Sequence, residues 1–431
     1  MIQKTKLITI DKEIAKVRPH IEFTNPTKGY YHLTNMRCTS GELTIKEGDH
    51  VKVGEVIGLR KAAFFEQNIH STISGTFIAM EKHLNRNGKL TEFAVIENDN
   101  LEEVKPDKTN FNLKEVLEFP KEKTLELVKN NTNIGLGGSG FPTYIKLESK
   151  STIHTVVVNA VECEPYLTVD VDTMFTKGEE IIFGLVAMIK YYDAKQGVIG
   201  IKTKNKEVLN HMQNIVKTNN FTNILVKPVG NFYPQGYEKD LVKSIAKVKV
   251  PANKMPADLG FMVFNSTSLL AIHDALCFNM PLIEREISLI GTAFNTPTNV
   301  LVKVGTHLAE VVEKIGGYTK EAQDKVIVLG GPMMGTSVKS DDVIISKPFS
   351  TVLSLVPVAA KEEPCISCGT CVYSCPTGLQ PVLIVGAMKV KDKEKLAKLN
   401  IKNCIECGMC SYVCTSKIDL TKHMRRSKRI A

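Results

Sequence analysis

The sequence predicts a multidomain α/β chain, and three observations carry that prediction. Residues 1 to about 100 hold short β-branched runs broken by Gly, Asn and Asp, which read as strands and turns. From about 121 to 275 apolar strand-like runs alternate with segments of helical spacing, the pattern of a mostly parallel sheet with helices over both faces. From Pro364 onward the chain is dense in cysteine and helix-rich in character. A length of 431 residues fits about two to four domains better than one.

Composition narrows the class. Hydrophobic residues make up 43% and charged residues 23%, which is ordinary for a globular protein. No run of about 18 uncharged apolar residues occurs. The opening MIQKTKLITIDKEI scatters charges where a signal peptide would place an apolar stretch, so a cytoplasmic location is expected. Thiols stay reduced there, and eleven cysteines then argue for metal over disulfides. Part of the net charge of +9 is local: Lys417, Lys422, Arg425, Arg426, Lys428 and Arg429 share the chain end with Asp419 as the only acid. No motif or aromatic interleaving supports a nucleic-acid partner. The remaining readings are a basic surface facing an acidic partner or lipid headgroups, and a solvated helix end.

In the first 100 residues, Gly48, Val51, Gly54, Ile57 and Gly75 have the spacing of a lipoyl-type barrel-sandwich module. Phe64 stands where that family carries its modified lysine, so an unmodified structural module is expected. Residues 97 to 120 are acidic, lysine-rich and proline-punctuated, which reads as a linker. Thr155 to Asn159 suits a buried strand, Gly178 to Tyr191 a helix, and Gly197 to Ile201 the next strand. From Ile283 to about Val343 short strands surround one helix near His307 to Lys314, a small α+β module. Lys389 to Lys398 reads as helix.

Two cysteine runs repeat each other: Cys365, Cys368, Cys371 and Cys375 followed by Pro376, then Cys404, Cys407, Cys410 and Cys414 followed by Thr415. Each has the bacterial ferredoxin spacing, in which three close thiolates hold one cubane and the offset fourth ligates the other cluster. Two [4Fe–4S] clusters are therefore expected, one on Cys365, Cys368, Cys371 and Cys414, the other on Cys404, Cys407, Cys410 and Cys375. Zinc sites would call for isolated C-x2-C pairs instead. Gly369 and Gly408 should let the backbone approach the clusters. Thr415 in place of proline should slightly alter access or potential at the second cluster. Cys38 and Cys277 read as small buried residues, with a reactive thiol at Cys38 as the lesser alternative.

Gly135, Gly137, Gly138 and Gly140 form a G-x-G-x-x-G string, but a helical segment precedes it and Pro142 follows, so the Rossmann context fails. Its amides can still converge on an anion such as a flavin phosphate. Asn159, Glu162 and Glu164 follow at the end of the apolar strand, where open α/β sheets bind ligands. Tyr233, Gly236 and Glu238 make a third element.

These motifs, in order GLGGSGFPTYIK, NAVECEPYLTVD, YPQGYEKDLV, MPADLG, PLIERE, GGPMMG and the two cysteine runs, resemble the RnfC subunit of the Rnf ion-translocating oxidoreductase and the related electron-transfer protein accompanying proline reductase. The central region also resembles the flavin-bearing NADH subunit of respiratory complex I. The resemblance covers residues 30 to 420. It implies a barrel-sandwich hybrid at 1–100, an FMN- and NADH-binding α/β domain at 121–275, a β-grasp module at 276–350 and a helix-rich dicluster ferredoxin-type domain at 360–431. By position it places the FMN phosphate on the loop Gly135, Gly137, Gly138 and Gly140, with Lys146 assisting. Asn159 and Glu162 would meet the flavin, Tyr233, Gly236 and Glu238 would close the pocket, and Phe141 and Glu164 would face a nicotinamide. Val161 and Tyr237 stand where the complex I pattern has Asp and Glu. Residues 1 to 40 lack the Gly-Gly-Ile-His-Pro-like opening of RnfC, which raises the soluble paralogue. The implied function is electron transfer from NADH through FMN and two clusters to a redox protein partner. That partner would be the other Rnf subunits, with peripheral attachment at the inner membrane, or a soluble reductase. An iron–sulfur adaptor without its own NADH oxidation is the alternative.

Overall fold

The computed structural model describes residues 20–35, 37–356 and 361–431; the opening stretch read for a signal peptide lies outside them. The first unit closes two antiparallel sheets over one core. One sheet orders Lys28–His32, Leu90–Asn98, Gly75–Leu84 and His50–Val51; the other orders Ser40–Leu43, Val56–Lys61 and Glu66–His70. Tyr31, Ile57, Ile69, Phe77 and Ile96 meet between them, the inward half of an alternating pattern. Phe64 sits at the turn between two strands and is 75% exposed.

The expected linker is packed. Leu113–Leu117 is a helix whose N-cap, Asn112, forms a reciprocal capping box with Glu115. Phe111, Val116 and Phe119 all lie on the core of the next unit, and the Lys123 ammonium stands 3.6 Å from the centroid of the Phe119 ring. Three apolar anchors in a charged background are enough to dock a segment whose composition reads as solvent-facing.

The second unit has a fully parallel sheet ordered Ile224–Val229, Gln196–Lys202, Thr155–Ala160 and Phe261–Asn265. Val156, Val157 and Val158 are all fully buried because both faces are covered. Gly178–Tyr192, Lys206–Thr218 and Ser266–Phe278 pack over one face and Glu238–Ala246 over the other. A fully buried leucine such as Leu185 contributes about 1.5–3 kcal/mol.

The third unit is wider than the sequence suggests. Its six-stranded sheet runs His20–Phe23, Thr298–Lys303, Glu284–Ile290, Thr351–Leu355, Val326–Leu329 and Thr336–Val338. It thus borrows a parallel edge strand from the chain start, with His20 opposite Asn299, and a central strand beyond residue 350. Both additions are short runs that carry no local signal of where they pair.

The last unit is helical. The helix expected over Lys389 to Lys398 is two, Pro381–Lys389 and Lys393–Lys398. Lys391 has a left-handed φ of 55°, and the Asp392 side chain caps the second helix by accepting from the Lys395 amide at 2.9 Å. No helix among the described residues is long and apolar enough to cross a membrane.

Candidate functional site

A cleft of about 620 Å³ opens where the carboxyl ends of the parallel strands meet the third and fourth units, within the usual range for a ligand site. Asn159 and Asn265 stand at the ends of two adjacent strands. The Asn159 amide donates to the Gly236 carbonyl at 2.8 Å, tying the first strand end to the 233–238 loop. Asn265 caps the helix Ser266–Phe278, accepting from the Thr267 amide at 3.0 Å, and donates to Asp170 at 3.3 Å. That helix therefore aims its positive end at the cleft. The glycine loop lies against the same end: the Leu136 amide donates to the Ser268 hydroxyl at 2.9 Å.

Glu162 has a left-handed φ of 42°. Its backbone is held from behind by Lys202, a buried cation donating to the Glu162 carbonyl at 3.0 Å, while its carboxylate accepts from the Asp170 amide at 3.1 Å. Glu164 crosses to the third unit and accepts from the Met333 amide at 3.0 Å. Burial, offset in part by the Met333 and Met334 amides, pushes its carboxyl up to about 7. Lys146 donates to the Val263 carbonyl at 2.9 Å and pairs with Glu238 at 3.4 Å.

Ten of the twelve residues placed at a flavin site by resemblance line this one cleft: Gly135, Gly137, Gly138, Lys146, Asn159, Glu162, Glu164, Tyr233, Gly236 and Glu238. Gly140 and Phe141 do not. Gly140 turns to a neighbouring cavity, and the Phe141 ring lies under the Arg37 guanidinium at 5.3 Å. Sequence reasoning passed over Asp170, Asn265 and Arg285 on the wall. Arg285 is 3% exposed and donates to the carbonyls of Lys347 and Leu136. It lies inside the PLIERE string, so a signal was present.

The wall suits a flavin mononucleotide. Gly138 has a φ of 98° and open space where a side chain would be, so a ligand can approach the backbone closely there, while its carbonyl accepts from Arg86 at 3.3 Å. A buried Glu164 oxygen and the buried Arg285 Nε have no partner among the described residues, as expected of groups that meet a polar ligand.

The fourth unit completes the wall. Ile405 and Cys407 line the cleft, and the buried Tyr233 hydroxyl donates to the Cys407 carbonyl at 2.8 Å. Gly408, with a φ of 78°, brings its backbone so close to Met333 that a Cβ would stand 2.4 Å from the Met333 carbonyl oxygen. The cysteines sort into two groups. Burial pushes the thiol of Cys407 up to about 12 and that of Cys410 to about 11, and Cys375 lies near enough to Cys404, Cys407 and Cys410 for its charge to add to each. Cys371 is raised by burial and then by Cys368 and Cys365, and it packs with both Cys414 and Cys410, where the two sets of cysteines adjoin. Cys365 and Cys368 are exposed, whereas Cys407 is buried. The Thr370 and Thr415 hydroxyls both donate to Cys368 and hold its thiol down, Thr370 more strongly. Thr415 was expected to act on the second cluster; its hydroxyl serves the first set instead.

The basic end is anchored. In the helix Leu420–Ile430, Arg425 and Lys428 pair with Glu406 at 3.2 and 2.9 Å, and Lys428 also donates to the Cys404 carbonyl at 3.0 Å. Arg426 and Arg429 stay exposed. Cys38 and Cys277 are buried, and the Cys38 thiol meets Gln67 at 3.6 Å.

Four sequence families match in chain order: the RnfC barrel sandwich hybrid domain at residues 3–101, the Nuo51 FMN-binding domain at 128–274, the SLBB domain at 291–337 and the 4Fe-4S dicluster domain at 364–418. The C subunit of the Na(+)-translocating ferredoxin:NAD(+) oxidoreductase complex of Acetobacterium woodii is 32% identical over 345 residues, 79% of this chain and 76% of that protein. The chain belongs to the RnfC family. It is also 31% identical to the C subunit of the proton-translocating ferredoxin:NAD(+) oxidoreductase complex of Clostridium ljungdahlii, over 79% of this chain and 74% of that one. This RnfC-family chain covers 91% of its own length against the C subunit of the ion-translocating oxidoreductase complex of Vibrio cholerae, at 32% identity, but spans only 51% of that longer protein. Among solved structures, an NAD+-reducing [NiFe]-hydrogenase aligns with a TM-score of 0.52 at 13% identity, over 74% of this chain and 62% of that one. That likeness concerns fold alone. The RnfC barrel-sandwich match shows that this domain is present although the Gly-Gly-Ile-His-Pro-like opening is missing. The chain carries an FMN-binding domain and a two-cluster domain, as an NADH-linked oxidoreductase component.

Proposed function

We propose that the 620 Å³ cleft seats FMN and receives NADH, and that the Cys404, Cys407, Cys410 and Cys375 cluster stands beside it, with the Cys365, Cys368, Cys371 and Cys414 cluster as the solvent-facing exchange point. The observation that carries this is the presence of Cys407 and Ile405 on the cleft wall. The glycine loop and the Ser266 helix end would hold the phosphate, and Asn159 and Glu162 would orient the flavin. Once bound, FMN exchanges electrons as a pair with the nicotinamide and singly with iron–sulfur clusters. Tyr233 and Met333 keep water from the buried cluster face by packing against it.

The relatives belong to ferredoxin:NAD(+) oxidoreductase complexes. Docking on membrane-embedded partners at the cytoplasmic face is the corresponding assignment for this chain. The domain bounds 1–100, 121–275, 276–350 and 360–431 serve as working limits, with His20–Phe23 and Thr351–Leu355 contributing to the third unit's sheet.

Anaerobically purified protein should hold FMN and about eight irons, and NADH should bleach the cluster absorbance. Gly138→Asp puts a charge and a strained side chain where a phosphate is expected; it should remove FMN and bleaching and leave the irons. An FMN-loaded parent whose clusters ignore NADH but accept electrons from dithionite would support the adaptor reading instead.

A further inference from the structure

Behind the glycine loop lies a second cavity of about 90 Å³, between the barrel-sandwich unit and the 346–348 loop. On a scale where about 10–15 Å³ seats one water, it has room for several waters or one oxyanion. Its wall carries Arg37, Arg60, Arg86 and Lys347 and no carboxylate, and none of these four has an ion pair among the described residues. Arg60 is 9% exposed and spends its donors on the His32 carbonyl, at 2.9 and 2.7 Å, and on the His32 ring. Lys347 donates to the Thr132 carbonyl at 3.3 Å. These acceptors, backbone carbonyls and the neutral His32 ring, carry no opposite charge and leave the cations uncompensated, a costly state inside a protein.

Two further atoms are unsatisfied. Among the described residues the buried Arg86 Nη1 has no partner, although Nη2 donates to the Gly138 carbonyl at 3.3 Å. His70 is 6% exposed, and its Nδ1 has none either. The other His70 nitrogen faces the Asn130 carbonyl, and burial followed by Lys347 keeps the ring neutral. The ring then donates to Asn130, which leaves Nδ1 as an acceptor. Burial, with Arg60 second, lowers the Lys347 ammonium to about 7, so the site gains charge compensation from any anion that enters.

We propose that this cavity binds a hydrogen-bearing oxyanion, a hydrogen phosphate or the phosphate group of a nucleotide, against the back of the glycine loop. Arg60, Arg86 and Lys347 would supply the charge, and His70 Nδ1 would accept the proton that a phosphate carries and a sulfate lacks. Arg86 also lines the flavin cleft, so occupancy would stiffen the loop from behind.

The test is isothermal titration calorimetry on the full-length, cluster-loaded, FMN-saturated protein at fixed ionic strength. The ligands are inorganic phosphate, sulfate and 2′-AMP. One saturable phosphate site is expected, with sulfate at least tenfold weaker. Lys347→Gln, which does not line the flavin cleft, should weaken phosphate at least tenfold with iron content unchanged. His70→Leu should narrow the preference for phosphate over sulfate. Competition of 2′-AMP with phosphate would identify a nucleotide phosphate as a source; failure of 2′-AMP alone would identify the free anion. Absence of saturable binding by phosphate and by 2′-AMP, or parent-like affinity in Lys347→Gln, overturns the site. Equal binding of sulfate overturns the role given to His70.

Discussion

The Tyr233 hydroxyl donates to the carbonyl of Cys407 at 2.8 Å, and both residues are buried at the junction of the cleft and the cysteine domain. Tyr233→Phe leaves that carbonyl without its partner, at a cost of about 1–3 kcal/mol. The expected result is a lower thermal midpoint with cluster and FMN content intact. A midpoint equal to the parent's would remove this bond as the fastening between the two units.

Crossed ligation gives a selective prediction. Cys375→Ser should damage the cluster built on Cys404, Cys407 and Cys410 and spare the one built on Cys365, Cys368, Cys371 and Cys414. Electron paramagnetic resonance of the reduced variant reads this. Loss of the other signal would contradict the assignment.

Glu164 ties stability to pH. Its carboxyl is raised by burial to about 7 when folded, against about 4.3 when unfolded. The folded state therefore holds the proton longer, and stability falls as pH rises from the unfolded value through about 7. Glu164→Gln stays neutral and keeps an acceptor for the Met333 amide. It should be more stable than the parent at pH 8, by about 3 kcal/mol or less. Melting curves should show the gap more than halved by pH 5.5; a gap independent of pH would refute the linkage.

Charge at the chain end divides into two jobs. Arg426 and Arg429 are exposed at the surface, so replacing both with Gln should slow reduction of the protein partner at low salt, by removing steering. The difference should fade as the Debye length shrinks to about 8 Å. Lys428→Gln should instead speed iron loss in air, since Lys428 holds the Cys404 carbonyl and Glu406. Stopped-flow rates across a salt series and iron release followed by chelator absorbance check the two halves. Equal behaviour of both variants would erase the distinction.

The cysteine spacing was fully legible, because cluster geometry constrains sequence neighbours. The strand Thr155–Ala160 and the helix Gly178–Tyr192 were legible for a similar reason, since burial on one or both faces imposes a local pattern. What escaped depends on distant partners. Phe141 sits beside the glycines in sequence, yet its ring is drawn to Arg37, about a hundred positions earlier. Thr415 follows the second run, yet its hydroxyl reaches Cys368 in the first. The 97–120 segment looked solvated because its three apolar anchors are outnumbered by charges. Asn265 gained its place on the wall only when two separate elements converged and brought it to Asp170, the residue that closes the NAVECEPYLTVD string.

The edge strand His20–Phe23 bears on how the chain is made. It pairs with Thr298–Lys303, which leaves the ribosome roughly 280 residues later, or about 15–60 s at ordinary synthesis rates. Until then its backbone groups lack their sheet partner, and a parallel pairing of that span belongs to the slow class of contacts. The nascent barrel-sandwich unit must therefore wait beside an unpaired strand. His20 and Glu22 occupy the outward positions of that strand, and polar side chains there discourage pairing with a neighbouring chain during the delay.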